Sequence, residues 1–142
     1  MNSVRKERFW HAHALYLQSA EHVQSIMQEQ AKLVRPKFDI VSEAFDKAFG
    51  DSDTVTWNTP KGGYFICLKC MNGTAKKIWT MCKKAGLTIT PAGASHPLHL
   101  DDSDSYLRIA PTYPSKEDLK KATEVLVTVV KIVTIESLLA AK

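Results

Sequence analysis

The sequence predicts an α+β fold, in which a helical lead-in is followed by a small, mainly antiparallel sheet with helices packed on one face. Two observations predict this class. Residues 10–49 and the residues after Ser115 carry apolar side chains at helical spacing. Between them, short β-rich runs alternate with breakers that contain Pro and Gly, which is typical of short strands joined by turns.

The first helical segment repeats its apolar residues in steps of three, four or seven. Pro36 lies inside this pattern, so it either kinks one helix or begins a second helix at its first turn. Gly50 is placed to end the segment, because glycine readily adopts the conformation that follows a helix. The apolar positions are Val23, Ile26, Met27, Val34, Phe38, Val41, Phe45 and Phe49.

The rest of the chain predicts four short strands and two further helices. The continuous apolar run Tyr64–Leu68 predicts a buried strand. Asn72 is expected to cap the middle helix, and Ser115 is expected to cap the last helix together with Asp118. The other predicted strands are Thr54–Thr59, Leu87–Thr90 and Tyr106–Ala110, and the predicted buried helix positions are Ala75, Ile78, Trp79, Cys82, Leu119, Ala122, Leu126, Val129 and Val133.

The composition is that of a globular domain. Hydrophobic residues make up 44% and charged residues 24% of the 142 residues, which excludes a disordered or low-complexity chain. The length suits one domain, 1–142, with a helical segment, 1–49, and an α/β sandwich, 50–142. Because no apolar run is long enough to span a membrane and no secretory signal is visible, we expect a cytoplasmic protein without a membrane partner.

The charge pattern does not favour nucleic acid. The formal net charge is only +4, and few aromatic residues are interleaved with the basic ones. We therefore expect no nucleic-acid partner, and we interpret the lysine cluster around the middle helix as a solvated face. Its members are Lys69, Lys76, Lys77, Lys83 and Lys84.

Cysteine and histidine give weak signals for metal or redox chemistry. Cys67 and Cys70 form a CxxC motif, but neither a second such pair nor suitably spaced histidines follow it. We therefore expect reduced, buried thiols here and at Cys82. His96 and His99 lie before an acidic run and could share an ion only in a flexible loop, so we expect no metal site.

Arg108 is the most informative polar residue. It lies between Leu107 and Ile109 in a predicted strand, so alternation places its side chain on the opposite face from theirs. That face either meets solvent or meets a ligand or partner. An arginine suits a planar carboxylate, because its fork of donors makes two parallel hydrogen bonds. The position alone leaves both interpretations open.

Five sequence features occur in a defined order. They are Trp57, Pro60–Phe65, Lys84–Gly93, Tyr106–Pro111 and a long final helix, with Arg35–Asp39 and Asn72–Ala75 as further matches. Over residues 13–135 they resemble the C-terminal small domain of fold-type I, pyridoxal-phosphate-dependent aminotransferases. The similar branch is that of aspartate aminotransferases related to MocR-like proteins.

The resemblance implies a role for three residues. In the family, the arginine at the position of Arg108 binds the substrate α-carboxylate, and Tyr64 and Gly93 correspond to positions near the same cleft. Residues 13–49 resemble the segment that connects the small domain to the large one. No catalytic residue is implied in this chain, because the family's cofactor-binding lysine and its supporting groups lie upstream in the large domain.

The cofactor and the partners follow from the same resemblance. Pyridoxal phosphate is expected in the complete family enzyme and is not expected on this chain alone. The implied partners are a cofactor-containing large domain or a homologous full-length subunit, together with a small amino acid or 2-oxo acid. A homo-oligomer is also expected, since the family is dimeric.

Two functions remain open at this point. In the first, the chain is the small-domain portion of an aminotransferase, binds the substrate α-carboxylate and does not catalyse transamination alone. In the second, it is a stand-alone, non-catalytic interaction or dimerisation module derived from such an enzyme. The second hypothesis rests on the apolar face that a small domain without its large domain would expose.

Overall fold

The computed structural model describes residues 19–94, 96 and 101–140. Within them the chain forms three helices and a three-stranded antiparallel sheet, so the predicted α+β class is confirmed. The elements are α1 (Ala20–Phe49), β1 (Thr56–Trp57), β2 (Ile66–Lys69), α2 (Ala75–Lys84), β3 (Tyr106–Ile109) and α3 (Lys116–Ala140).

The chain divides into two compact units, residues 1–36 and residues 37–142. The boundary falls at Pro36, inside α1, which is one continuous helix at this point and not two helices. Proline has no backbone N–H, so the helix loses one hydrogen bond there. In the first unit the structure describes residues 19–36, where the side chains of Met27 and Leu33 are exposed.

The second unit contains the sheet in the order β1-β2-β3. In the register of β2 and β3, Leu68 pairs with Leu107, and both side chains are buried. On the other side of the same two strands, Cys67 pairs with Arg108. Alternation therefore divides the sheet into a core face and a second face that the helices do not cover.

One hydrophobic core joins the helices of the second unit to the core face. Phe45 of α1 is fully buried and lies 5.6 Å from Trp57 of β1, ring centroid to ring centroid, in an edge-on arrangement. Lys37 ties α1 to the segment before α3, because its ammonium donates to the carbonyl oxygens of Thr112 and Pro114 at 2.7 and 2.6 Å. The core face of the sheet is therefore packed against the helices of the second unit.

The N-terminus of α3 agrees with the prediction. The Ser115 hydroxyl oxygen accepts from the Asp118 N–H at 3.1 Å and donates to the Asp118 carboxylate at 2.8 Å. The helix buries Leu119, Leu126, Val129 and Val133 as predicted, and it also buries Val130 and Thr123. Ala122 is only partly buried, because the helical phase turns Thr123 towards the core instead.

The N-terminus of α2 differs from the prediction. Asn72 does not cap it, and the residue at the cap position, Thr74, makes no side-chain capping bond. Asp104 performs this role from the loop before β3: its carbonyl oxygen accepts from the N–H groups of Thr74 and Ala75, and its carboxylate accepts from Lys76 N–H at 3.1 Å. The loop before β3 therefore caps α2, and none of the described residues next to α2 in the sequence does so.

The strand predictions need three corrections. The strand predicted at Tyr64–Leu68 is present but spans Ile66–Lys69, and only Ile66 and Leu68 are buried, so it faces the core on one side only. In Thr54–Thr59, the strand is limited to Thr56–Trp57, and the Asn58 N–H makes one further bond to the Cys67 carbonyl of β2. Leu87–Thr90 forms no strand: the Leu87 N–H donates to the Cys82 carbonyl, and the Ile89 carbonyl accepts from the Trp79 indole. The backbone of Leu87–Thr90 therefore hydrogen-bonds to α2 and not to a neighbouring strand.

None of the helices in the part of the chain that the structure describes combines the length and the apolar character that crossing a membrane requires.

Candidate functional site

The candidate site lies on the face of β2 and β3 that the helices leave uncovered. We call this side the open face and define it by Cys67 and Lys69 of β2 and by Tyr106 and Arg108 of β3. Arg108 lies within β3, an edge strand of the sheet, and its side chain is half-buried on this face. The alternation that buries Leu107 therefore turns Arg108 away from the core, as predicted.

Among the residues that the structure describes, two side chains contact the guanidinium of Arg108. Phe65, just before β2, lies beneath it, with 4.5 Å between the guanidinium carbon and the ring centroid. Thr90, from the segment after α2, accepts a hydrogen bond from Nε across 3.4 Å. Both contacts come from segments distant in sequence from Arg108, so the tertiary fold creates this arrangement.

The charge of Arg108 has no protein counterion within the described residues. No carboxylate there lies within 4.0 Å of the guanidinium, and neither terminal nitrogen donates to another described residue. A half-buried guanidinium with its terminal donors unused is suited to a carboxylate, which can accept two parallel hydrogen bonds from it. Among the described residues, the chemistry of this arrangement is therefore that of an anion site.

Cys67 is the cross-strand neighbour of Arg108. Partial burial raises the pKa of the Cys67 thiol above its ordinary value, so this side chain is neutral at neutral pH. A neutral thiol beside Arg108 leaves the positive charge of the guanidinium uncompensated. The expectation that Cys67 is a buried thiol was wrong, because position 67 falls on the open face of β2.

The structure places the other two predicted site residues in different surroundings. Tyr64 precedes Phe65 and is largely exposed. Gly93 is buried in a turn and has a φ of 80°, a conformation that glycine adopts at little cost. Within the described residues, neither makes a hydrogen bond or ring contact with Arg108, and their place in the cleft stays a prediction.

The acidic run before β3 is a structural loop. Asp101 accepts from the N–H and hydroxyl of Ser103 through one carboxylate oxygen, and from the N–H groups of Ser105 and Tyr106 through the other. Burial raises the pKa of this carboxyl, but the hydrogen bonds outweigh burial and lower the pKa to about 2. Asp101 is therefore a charged acceptor that organises the loop.

His96 is close to this loop. Its Nε2 lies 4.0 Å from an Asp101 oxygen, and its ring lies 5.3 Å from that of Tyr106. Its predicted partner His99 lies outside the described residues. Within the part that is described, no three His, Cys, Asp or Glu side chains are arranged to hold a metal ion.

The remaining cysteines are structural. Cys70 and Cys82 are buried free thiols, as expected. Burial raises the pKa of Cys70 to about 12, with a further contribution from Cys82, and burial raises the pKa of Cys82 to about 11. Thiols with such high pKa values are poor nucleophiles at neutral pH. These pKa values give no support to redox chemistry at the CxxC motif.

Several members of the lysine cluster make surface contacts. Lys83 lies over the Trp79 ring at 5.4 Å, Lys69 lies over the Tyr106 ring at 5.9 Å, and Lys77 pairs with Glu136 at 2.7 Å. Each of these contacts is exposed at least in part, so it contributes little to stability.

Sequence reasoning missed Phe65 and Thr90 as site residues. Both are named within the matched segments, but their contact with Arg108 depends on strand register and on the path of the chain after α2. Alternation along β2 was the one available signal, because Phe65 and Cys67 are two residues apart and share a face. No local pattern marks Thr90.

The fold and the site together define the class of protein: a small α+β domain of the aminotransferase type, with one arginine on its open face. Comparisons with known proteins agree. The model of the aspartate aminotransferase family matches residues 2–142. An aspartate aminotransferase of Corynebacterium glutamicum is 38% identical over 125 residues, which cover 88% of this chain and 29% of that protein.

Solved structures give the same result. A crystal structure of an aspartate transaminase from Corynebacterium glutamicum has a TM-score of 0.85 and 37% identity, covering 89% of this chain and 30% of that one. A kynurenine aminotransferase of Pyrococcus horikoshii shares the fold at a TM-score of 0.68 and 23% identity, over 82% of this chain and 28% of that one. The chain belongs to the aspartate aminotransferase family of fold-type I, pyridoxal-phosphate-dependent enzymes, and it spans less than a third of the length of these relatives.

The family implies pyridoxal phosphate in the full enzyme, but the open face does not fit the cofactor itself. Holding it requires a lysine for the covalent link, a partner for the pyridinium nitrogen and a cradle for the phosphate. Around Arg108 the face offers one guanidinium, a hydroxyl and a neutral thiol, while Lys69 is engaged with Tyr106. This donor set suits a carboxylate.

Proposed function

We propose that this chain is the small-domain portion of a pyridoxal-phosphate-dependent aminotransferase and that Arg108 binds the α-carboxylate of an amino acid or 2-oxo acid. The observation that carries the proposal is the half-buried guanidinium without a carboxylate partner within the described residues. Burying an unpaired charge is costly, so such a group is retained where a ligand supplies the opposite charge.

The proposal divides the work between this chain and a large domain. Bond breaking at the substrate Cα belongs to the cofactor, which the chain does not hold by itself. This chain binds and orients the carboxylate, and holding a reactant in the correct geometry accelerates a reaction substantially. A cofactor-containing large domain, as in the longer relatives, is therefore the proposed partner, and the chain alone is proposed to be inactive.

A chimera tests this function. In it, this chain replaces the matching segment of the Corynebacterium glutamicum relative, and transamination between L-aspartate and 2-oxoglutarate is measured after loading with pyridoxal phosphate. Arg108→Gln is expected to lower kcat/KM at least thirtyfold, because truncating one partner of a buried charge pair costs roughly 2–5 kcal/mol. Lys121→Gln removes one positive charge from an exposed position of α3 and is expected to leave the activity unchanged.

Two results would contradict the proposal. The first is a folded, cofactor-loaded chimera without activity, since the small-domain role would then be absent. The second is an active chimera that is indifferent to Arg108→Gln, since the carboxylate would then bind elsewhere.

A second candidate function is self-association through α3. Val133 is the last buried residue of this helix, and the outer side of its C-terminal part carries the exposed apolar side chains of Ile132, Ile135, Leu138 and Leu139. An exposed apolar stripe of this kind is typical of an interaction surface. The stripe favours the hypothesis that this chain is a non-catalytic dimerisation module whose partner is a second copy of the same chain.

A further inference from the structure

Arg108 is restrained from two directions before any ligand arrives. The Phe65 ring lies 4.5 Å from the guanidinium carbon, and the Thr90 hydroxyl accepts from Nε across 3.4 Å. Phe65 remains 46% exposed, so the ring is not part of the core and its contact with Arg108 is not forced by core packing. Both contacts therefore constrain the side chain of Arg108.

The ring and the hydroxyl constrain different degrees of freedom. A flat ring beneath a flat guanidinium favours parallel stacking and limits the tilt of the guanidinium plane. A hydrogen bond at Nε limits rotation about the last bonds of the side chain. Arginine otherwise loses considerable rotamer freedom when it binds a ligand, and a side chain ordered in advance loses less.

The same two contacts determine which donors remain. Nε is engaged by Thr90, and the Phe65 ring lies 4.5 Å from the guanidinium carbon. The two terminal nitrogens are the donors that no described residue uses. They form a pair with the spacing of two carboxylate oxygens, so a ligand would bind at the end of the fork.

Resting on the proposed function, we propose that Phe65 and Thr90 are positioning residues, which hold the guanidinium of Arg108 so that its terminal nitrogens receive the substrate carboxylate. Phe65 supplies the surface that orients the plane, and Thr90 supplies the acceptor that occupies Nε. Neither residue touches the reacting atoms. Their effect is on carboxylate affinity and on the geometry of the bound substrate.

Nuclear magnetic resonance of the full-length chain tests the positioning role of Phe65. Protons above an aromatic face resonate upfield, so the side-chain protons of Arg108 are expected to be shifted upfield in the wild type. Phe65→Leu is expected to abolish this shift and to raise the Kd for 2-oxoglutarate about three- to tenfold. Phe65→Tyr is expected to restore both properties, because it restores the ring.

Thr90 is tested by the same two measurements. Thr90→Val keeps the shape but removes the acceptor, so it is expected to move the Arg108 Nε–H resonance and to raise the Kd several-fold. Thr90→Ser keeps the hydroxyl and is expected to preserve both. Tyr113→Leu is the matched control for an aromatic residue, since Tyr113 is 97% exposed, and it is expected to change neither measurement.

The outcomes separate this inference from the proposed function. If wild-type and Arg108→Gln chains respond alike to 2-oxoglutarate, or neither responds, the proposed function of Arg108 is contradicted whatever Phe65 does. If the response requires Arg108 but Phe65→Leu and Thr90→Val bind as tightly as the wild type, only the positioning role is overturned. The absence of an upfield shift in the unliganded wild type also overturns it.

Discussion

At the scale of single residues, Asp101 and Arg108 show two ways of accommodating a charge. Asp101 is satisfied locally, since its side chain is only 4% exposed and accepts four hydrogen bonds from Ser103, Ser105 and Tyr106. Arg108 has one hydrogen bond and no protein carboxylate within the described part of the chain. We therefore interpret Asp101 as a structural residue, whereas the unpaired charge of Arg108 supports its proposed role in binding a ligand.

Asp101→Asn is expected to lower the free energy of unfolding by about 2 kcal/mol at pH 7. Asparagine keeps one acceptor oxygen but replaces the other with a donor, which leaves buried N–H groups without a partner. Chemical denaturation measures the change. Asp102→Asn is the matched control, because Asp102 is exposed, and a loss as large as that of Asp101→Asn would contradict the assignment.

The lowered pKa of Asp101 also predicts a pH dependence. The pKa falls from 3.8 to about 2 on folding, so the carboxylate stabilises the native state fully above pH 3.8. This stabilisation is lost as the pH falls towards 2, because over that interval the unfolded state takes up a proton at this carboxylate before the native state does. The difference in stability between wild type and Asp101→Asn should therefore shrink over that interval.

At the scale of elements, α2 and α3 begin in different ways. α3 uses a local cap at Ser115, which was predictable because the capping residue and Asp118 are three positions apart. α2 uses Asp104, which lies 28 residues after Lys76, the residue whose N–H it accepts. No local sequence pattern encodes a cap at that separation.

Substitutions at Asp104 and at Asn72 test which of these two residues caps α2. Asp104→Ala is expected to lower the free energy of unfolding by about 1 to 2 kcal/mol, because it removes a cap and places alanine at a φ of 43°. Asp104→Asn retains an acceptor and tolerates that φ, so it should lose less. Asn72→Ala should cost under about 0.5 kcal/mol, as for an ordinary surface position.

Thermal or chemical unfolding of these three variants decides the matter. A larger loss for Asn72→Ala than for Asp104→Ala would mean that the local cap operates after all.

The same contrast explains how much of the fold was predictable. Apolar periodicity located α1, α2 and α3, and alternation in Tyr106–Ile109 assigned the face of Arg108 correctly. Leu87–Thr90 had the composition of a strand, but its backbone is bound by α2. Whether a short apolar run pairs with a strand or packs against a helix depends on tertiary neighbours, which one sequence does not display.

The same contrast applies to the candidate site. Arg108 could be proposed from the sequence because strand alternation and a family resemblance both pointed to it. Phe65 and Thr90 contact Arg108 because of the strand register and the path of the chain after α2. These contacts could not be predicted from the sequence.

At the scale of the whole molecule, the outer side of α3 is an exposed apolar surface. With about 100° per residue, Ile132, Ile135, Leu138 and Leu139 occupy roughly one third of the helix circumference, away from the side that buries Val129 and Val133. A second copy of the chain presents the same stripe, so two copies could bury their stripes against each other about a two-fold axis.

This arrangement predicts reversible self-association that depends on the stripe. Sedimentation equilibrium of the wild-type chain should show dimers at micromolar concentration, and the double variant Ile135→Lys with Leu139→Lys should be monomeric. The reason is that both substitutions place charges where apolar side chains would be buried. Thr80→Lys is the control, since Thr80 is exposed on α2, a different helix from the one that carries the stripe, and its substitution should leave the dimer intact.

The result also discriminates between the two functions. A monomeric wild type would contradict self-association and would leave the stripe as a surface for the rest of a longer enzyme. A dimer that persists in the double variant would place the interface elsewhere. A stripe-dependent dimer that binds 2-oxoglutarate only when Arg108 is present would show that the two properties coexist, because the stripe and the open face are carried by different elements.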